Sequence, residues 1–168
     1  MIRMFSGKSP KIAPSAFVSE TAYITGDVEI GENANIWPGA VIRGDIAKIT
    51  IGKNTSIEDN CVVHSATDII IGDNTIVGHG AVLHCRKIGN NVLIGNNATV
   101  LDNAEIGDHC IIAAGSVVAP GTKLPTETLA MGVPAQVKGT VSQKQKDNIT
   151  IGAAFNVNLA QEYKKQGL

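Results

Sequence analysis

A period of six residues runs through most of this chain and constrains its fold more than any other feature. One position of each hexad is always Ile, Val or Leu: Ile12, Val18, Ile24, Ile30, Ile36, Ile42, Ile51, Ile57, Val63, Ile71, Val77, Leu83, Ile88, Ile94, Val100, Ile106, Ile112, Val118 and Leu124. Four residues after many of them comes a small residue, and Gly often follows the branched residue directly. Hexads with this pattern are typical of a parallel β-helix, in which each coil stacks its apolar face on the next.

Charge and cysteine content exclude several classes of partner. The formal net charge of -1 over 168 residues gives no reason to expect nucleic acid or a membrane surface. No apolar run is long enough for a signal peptide or a membrane span, so we expect a cytoplasmic protein. Cys61, Cys85 and Cys110 lack CxxC spacing, which indicates neither disulfides nor a cysteine metal site. Cys61 and Cys110 occupy inward positions of their hexads, whereas we expect Cys85 at solvent or in an interface.

The histidines point to a metal. His64, His79 and His84 all fall between Ile57 and His84. Imidazole is the commonest side-chain ligand of zinc and similar ions. Three imidazole nitrogens that leave one coordination position open form a catalytic rather than a structural site.

The hexad register predicts where these side chains lie. Three hexads make one triangular coil, so positions three hexads apart share an edge of the prism, about 4.8 Å from one coil to the next. Arg43, His64 and His84 then stack in one column, and Asp59 and His79 in a second. His79 precedes His84 by roughly 16 Å of extended chain at about 3.3 Å per residue. Because zinc–nitrogen bonds are about 2.0 to 2.1 Å long, we expect a neighbouring chain to supply His79.

The sequence resembles the gamma class of carbonic anhydrases, which are hexapeptide-repeat proteins. The resemblance rests on the repeat and on a set of polar residues: Arg43-Gly44-Asp45, Asp59, His64, His79 and His84. It implies a left-handed β-helix and a homotrimer that holds metal between subunits. It also implies reversible hydration of carbon dioxide to bicarbonate by a metal-bound hydroxide. The metal would be zinc, although Fe(II) and Co(II) suit imidazole as well. Arg43, Asp45 and a partner's Asp59 would form a positioning charge network at the interface.

The chain departs from the best-studied family pattern at the residues that carry the proton away after hydration. Ile46 replaces a Glu after the Arg-x-Asp motif, and the acidic loop after His64 is reduced. Glu58 stands where Gln is common, and it either takes over as general base or repels hydroxide when ionised. Asn158 aligns with an Asn that completes the pocket in some members, and Asn156 stands where many have Tyr. The candidate catalytic residues are Glu58, Arg43, Asp45, Asp59 and Asn158, and the candidate metal ligands are His64, His79 and His84.

The fold prediction is all-β, with a left-handed parallel β-helix over residues 1–138 and a helical tail over 139–168. A helix from about 142 to 165 is expected to fold back along the prism. Its packing face would comprise Ile149, Ala153, Val157, Ala160 and Tyr163. The hexads are interrupted at 43–50, 64–70 and 84–87, all beside the proposed site.

Two alternative functions stay open. In the first, the chain is a metalloprotein of the same family that acts on another small substrate, for example by thioester hydrolysis, or that has no catalytic activity. In the second, the chain is a hexapeptide acyltransferase, which uses the same scaffold with one histidine as base and needs no metal.

Overall fold

Short parallel strands coil about seven times into a triangular solenoid, and one long helix follows. The computed structural model describes all residues from Met1 to Leu168. Its elements are β1 (Ile2–Arg3), β2 (Lys11–Ile12), β3 (Phe17–Val18), β4 (Tyr23–Ile30), β5 (Asn35–Ile36), β6 (Val41–Ile51), β7 (Ser56–Ile57), β8 (Val62–His64), β9 (Ile69–Ile71), β10 (Ile76–Val77), β11 (Val82–Leu83), β12 (Lys87–Ile88), β13 (Leu93–Ile94), β14 (Thr99–Val100), β15 (Glu105–Ile106), β16 (Ile111–Ile112), β17 (Val117–Val118), β18 (Lys123–Leu124), β19 (Thr128–Gly132), β20 (Ala135–Thr140) and α1 (Gln143–Gln166). The predicted left-handed parallel β-helix with a C-terminal helix is confirmed.

The strands form three faces. The first face contains β8, β11, β14 and β17, and the second contains β9, β12, β15 and β18. The third runs from β3 through β5, β7, β10, β13 and β16 to β19. The long strands β4 and β6 turn a corner and belong to both the first and the second face. Along the chain, the corner that leads into the first face follows β7 and β10 of the third face. The corner that leaves the first face follows β8 and β11.

The core is the column of branched residues that the hexads predict. All of these positions except Ile12 and Val18 are buried, and those two pack against the same cluster. The small residues four positions later are buried as well, among them Ala34, Ala81 and Ala104. Burial of this apolar surface, at roughly 25 cal/mol per Å², stabilises each coil against the next.

Cys85 corrects one prediction, because it is buried in the core and not at solvent or in an interface. Cys85 stands two residues after the inward-facing Leu83, and alternate residues of an extended segment face the same side. Ser65 occupies the same position one coil earlier and is also buried. Burial raises the pKa of the Cys85 thiol to about 12, so this residue is a packing group and not a reactive one.

The insertion at 43–50 is accommodated by lengthening β6 into one strand of 11 residues. A register shift in its partner β4 lies between Gly26 and Val28. The backbones of Gly26 and Gly44 approach so closely there that any side chain on Gly26 would overlap Gly44. The irregular corner beside Arg43 is thereby fixed by backbone packing.

Helix α1 folds back along the prism as predicted, and it lies on the third face. Ser142 caps it by accepting a hydrogen bond from the backbone N–H of Gln145, whose side chain returns the contact. Ile149, Ala153 and Ala160 are buried, and Val157 and Tyr163 are half-buried. The Tyr163 ring packs on Trp37 and Phe17 with centroids 5.2 and 5.7 Å apart, which fixes the C-terminal half of the helix.

The antiparallel pair β19 and β20 ends the solenoid, at the segment where the hexads stop. No helix of the chain combines the length and apolar character needed to cross a membrane.

Candidate metal centre

His64 and His84 lie one above the other at the corner that follows the first face. Val63 and Leu83 are paired in register, and each histidine is the next residue along its chain segment. The two imidazole centroids are 5.6 Å apart. The hexad register thus predicted this column correctly, and the two rings are close enough to contribute to one metal ion.

Asp45 links Arg43 to His64. Arg43 pairs in register with His64, and its Nη1 donates to Asp45 Oδ2 across 2.6 Å. The other carboxylate oxygen of Asp45 lies 2.9 Å from His64 Nε2. Since Asp45 and His64 are both largely shielded from solvent, this chain of contacts holds the His64 ring in one orientation.

His84 has a carboxylate partner that the sequence reasoning missed. Its Nδ1 lies 3.0 Å from Asp102 Oδ1. Asp102 stands one coil further along the solenoid, two residues after Val100, which pairs with Leu83. To find Asp102 from the sequence, the column must be extended one coil beyond His84. The offset from the branched residue must also be two residues and not one, as it is at His84.

His79 belongs to the second column, at the corner that precedes the first face. Its Nδ1 lies 2.9 Å from Asp59 Oδ2, and its Nε2 lies 3.2 Å from Glu58 Oε2. Asn156 of α1 donates to the other oxygen of Glu58 across 3.1 Å. The helix is therefore in direct contact with this column.

A cavity of about 320 Å³ opens beside His79. Trp37, Pro38, Phe155 and Leu159 supply apolar wall, and the polar side is formed by Glu58 with its neighbours Asp59, His79 and Asn156. A lining that combines apolar walls with convergent polar groups is compatible with a small-molecule site.

One predicted site residue, Asn158, lies elsewhere, and the corner expected to lack an acid does lack one. Asn158 is exposed and lines a separate cavity with Asn54 and Asn74, so within one chain Asn156 and not Asn158 reaches Glu58. The role of Asn158 stays a prediction that a single chain does not support. Ile46 is 67% exposed and carries no acid into the corner beside Arg43.

The donor set fits a divalent ion, but a single chain does not assemble it. No group of three His, Cys, Asp or Glu side chains converges in a way that could hold a metal ion. His64 and His84 each keep one ring nitrogen free of carboxylates. Neutral imidazoles oriented by carboxylates are the usual ligands of zinc and related ions.

Comparison with known proteins agrees with the repeat. The family described as "Bacterial transferase hexapeptide (six repeats)" matches residues 9–44 and 87–120. A carbonic anhydrase of Geobacillus kaustophilus is 48% identical over 139 residues, which cover 82% of this chain and 76% of that protein. Gamma carbonic anhydrase 2, mitochondrial, of Arabidopsis thaliana is 38% identical over 162 residues, covering 92% and 58% of the two chains. The crystal structure of a hexapeptide transferase family protein from Anaplasma phagocytophilum has a TM-score of 0.94 at 35% identity, with 97% and 98% coverage. The chain belongs to the gamma-class carbonic anhydrase family of hexapeptide-repeat proteins.

Proposed function

We propose that this chain hydrates carbon dioxide reversibly to bicarbonate, at a metal centre shared between neighbouring subunits of a cytoplasmic homotrimer. The observation that carries the proposal is the placement of three carboxylate-held histidines in two columns, one on each side of the first face. In a cyclic trimer with heterologous contacts, one such edge of each subunit meets the other edge of the next. Three free cysteines without a disulfide are consistent with a reducing compartment.

His64 and His84 of one subunit and His79 of the next would hold the metal. Zinc is our first choice, and Fe(II) and Co(II) are equally compatible with imidazole ligands. When bound, such an ion lowers the pKa of a coordinated water to about 7, which makes a nucleophile available at neutral pH.

The charged neighbours of the histidines position them. Asp45, anchored by Arg43, fixes the His64 ring, and Asp59 fixes the His79 ring. Arg43 is still 42% exposed in the side chain, so it remains accessible to an acidic group of a neighbouring subunit. In that interface Arg43 and the partner's Asp59 would attract each other and set the register between subunits.

Glu58 is the group best placed to take the proton in the absence of an acid at residue 46. Its side chain is only 16% exposed, and its carboxylate lies between His79 and Asn156. In this role Oε2 of Glu58 would accept the proton. The apolar wall formed by Trp37, Phe155 and Leu159 suits carbon dioxide, which is itself apolar.

Stopped-flow hydration of carbon dioxide by anaerobically purified, metal-analysed protein tests the proposal. We expect His64→Ala and His84→Ala to lose most bound metal and hydration activity while the chain stays folded, because both side chains project outward from the core. His109→Ala is the control, since His109 belongs to neither column. Unchanged metal content in both His64→Ala and His84→Ala would refute the site.

A second candidate is a metalloprotein of the same family with another small substrate. The exposed Ile46 favours it, because a positioned acid at that corner is missing. Full metal occupancy without carbon dioxide hydration, together with hydrolysis of a thioester, would select this alternative. The similarity to hexapeptide transferases keeps acyl transfer open, and acetyl transfer from acetyl-CoA by metal-free protein would select that function.

A further inference from the structure

Each of the three candidate ligand histidines contacts its own aspartate. Asp45 serves His64 and Asp59 serves His79, while the third aspartate, Asp102, contacts His84. Asp45 also pairs with Arg43. Asp102 makes no other side-chain hydrogen bond or ion pair, so its carboxylate is dedicated to the imidazole.

The backbone around Asp102 holds this carboxylate in place. The Asp102 carbonyl accepts a hydrogen bond from the Gly121 N–H at 2.7 Å, and the preceding Leu101 N–H donates to Val118 at 3.1 Å. Asn103 follows in the left-handed region, with φ of 58°, and turns the chain at the corner. These bonds tie the residue to the next coil, so the aspartate is supported from the side away from His84.

We propose that Asp102 is a positioning residue that fixes the His84 ring for metal binding, an inference that rests on the proposed function. An ionised carboxylate only accepts hydrogen bonds, so His84 Nδ1 carries the proton that it donates to Asp102. The tautomer with a proton on Nδ1 leaves the lone pair of Nε2 free for the ion. The same contact makes the imidazole a stronger ligand.

A purely structural role predicts a different outcome from a positioning role. The Asp102 side chain is 53% exposed and that of His84 is 33% exposed, and exposed ion pairs contribute little to folding. Removing the carboxylate should therefore leave the coil intact. Loss of a ligand-orienting partner typically weakens metal binding by about 10- to 100-fold.

Competition for Zn²⁺ between the assembled protein and a chromophoric chelator measures this effect. We expect Asp102→Ala to weaken zinc binding by about 10- to 100-fold without changing the thermal unfolding midpoint of the metal-free protein. Asp102→Asn, which keeps a hydrogen-bond acceptor but no charge, should fall between Asp102→Ala and wild type. The matched control is Glu105→Ala, because Glu105 is also a partly exposed carboxylate with a single ion-pair partner, Lys123. Zinc affinity of Asp102→Ala equal to that of Glu105→Ala would overturn the proposal.

The tautomer of His84 gives a readout without metal. ¹⁵N NMR of metal-free protein should show His84 protonated on Nδ1 in wild type and a mixture of tautomers in Asp102→Ala; Nε2 protonation in wild type would refute the contact. If His84→Ala loses zinc but Asp102→Ala does not, the role of Asp102 fails and the proposed function stands. If neither variant changes zinc binding, both fail.

Discussion

Ile46 is the residue at which a single substitution should raise turnover. Even with Glu58 as the first proton acceptor, no acid at this exposed corner passes the proton on to solvent, so hydration should be limited by proton transfer and should rise with buffer concentration. Ile46→Glu should raise the rate at low buffer by roughly tenfold or more, since a positioned acid or base typically contributes about 10²- to 10⁴-fold.

Ile46→Gln is the control for this test, because it matches Glu in size without the charge. No gain in Ile46→Glu, with metal occupancy intact, would mean that Glu58 or another group already removes the proton.

Replacing Ser56 by alanine should stabilise the fold. Its Oγ is buried without a hydrogen-bond partner, and an unpaired buried polar group costs about 1 to 3 kcal/mol. We expect Ser56→Ala to raise the free energy of unfolding by up to about 1 kcal/mol. Thr75→Val should lower it by about 1 to 3 kcal/mol, because Thr75 Oγ1 donates to Gly89 and accepts from the Val92 N–H.

Urea denaturation at one fixed protein concentration compares the two variants. Equal destabilisation by both would show that the Ser56 hydroxyl has a partner, such as a buried water.

The sequence predicts some site residues and misses others for a physical reason. Arg43, His64 and His79 follow branched residues at fixed offsets, so the register alone assigns their columns. Asp102 sits at a corner one coil beyond its histidine. The contact between Asn156 and Glu58 joins the helix to the solenoid. It depends on the rotation of the helix about its own axis, which nothing in the local sequence determines.

At the scale of the elements, the inward column of branched residues carries the stability of the solenoid. Ile94 is fully buried in β13, and Ile94→Ala should cost about 2 to 5 kcal/mol through the cavity it leaves. The control is Ile151→Ala on α1, where the side chain is 66% exposed and we expect a change within about 0.5 kcal/mol. Equilibrium unfolding measures both, and similar losses would contradict the inward assignment of Ile94.

Strands on the three faces and the helix could be predicted because period six and period 3.6 are both visible in the sequence. The inward orientation of Cys85 could not, since it depends on whether the chain stays extended past Leu83, as it also does at Ser65 one coil earlier. The hexad pattern also does not predict the antiparallel pairing of β19 with β20, because this pair begins where the repeat ends.

At the scale of the whole molecule, the proposed sharing of sites between chains makes a quantitative prediction. His79→Ala and His64→Ala each lack a complete site in their own homotrimers. In mixed trimers, one interface combines His64 and His84 of the first variant with His79 of the second. Random one-to-one assembly should restore about a quarter of all sites, because three quarters of trimers are mixed and one interface in three is intact.

Co-refolding of the two variants, followed by metal analysis and mass measurement, checks this fraction. Recovery near zero in confirmed mixed trimers would show that His79 binds metal within its own chain.

The contacts of His79 bear on the order in which subunits and metal would come together. Both of its ring nitrogens face carboxylates of the same chain, those of Asp59 and Glu58. On the proposed function, a newly synthesised chain therefore has no uncommitted imidazole at this corner with which to scavenge a stray ion. On that function, we expect His79 to complete the site only after two chains associate, when His64 and His84 of the neighbouring chain come close enough for the His79 ring to exchange its contact with Glu58 for the metal. We therefore expect dilution of the subunits to lower activity even when metal is abundant.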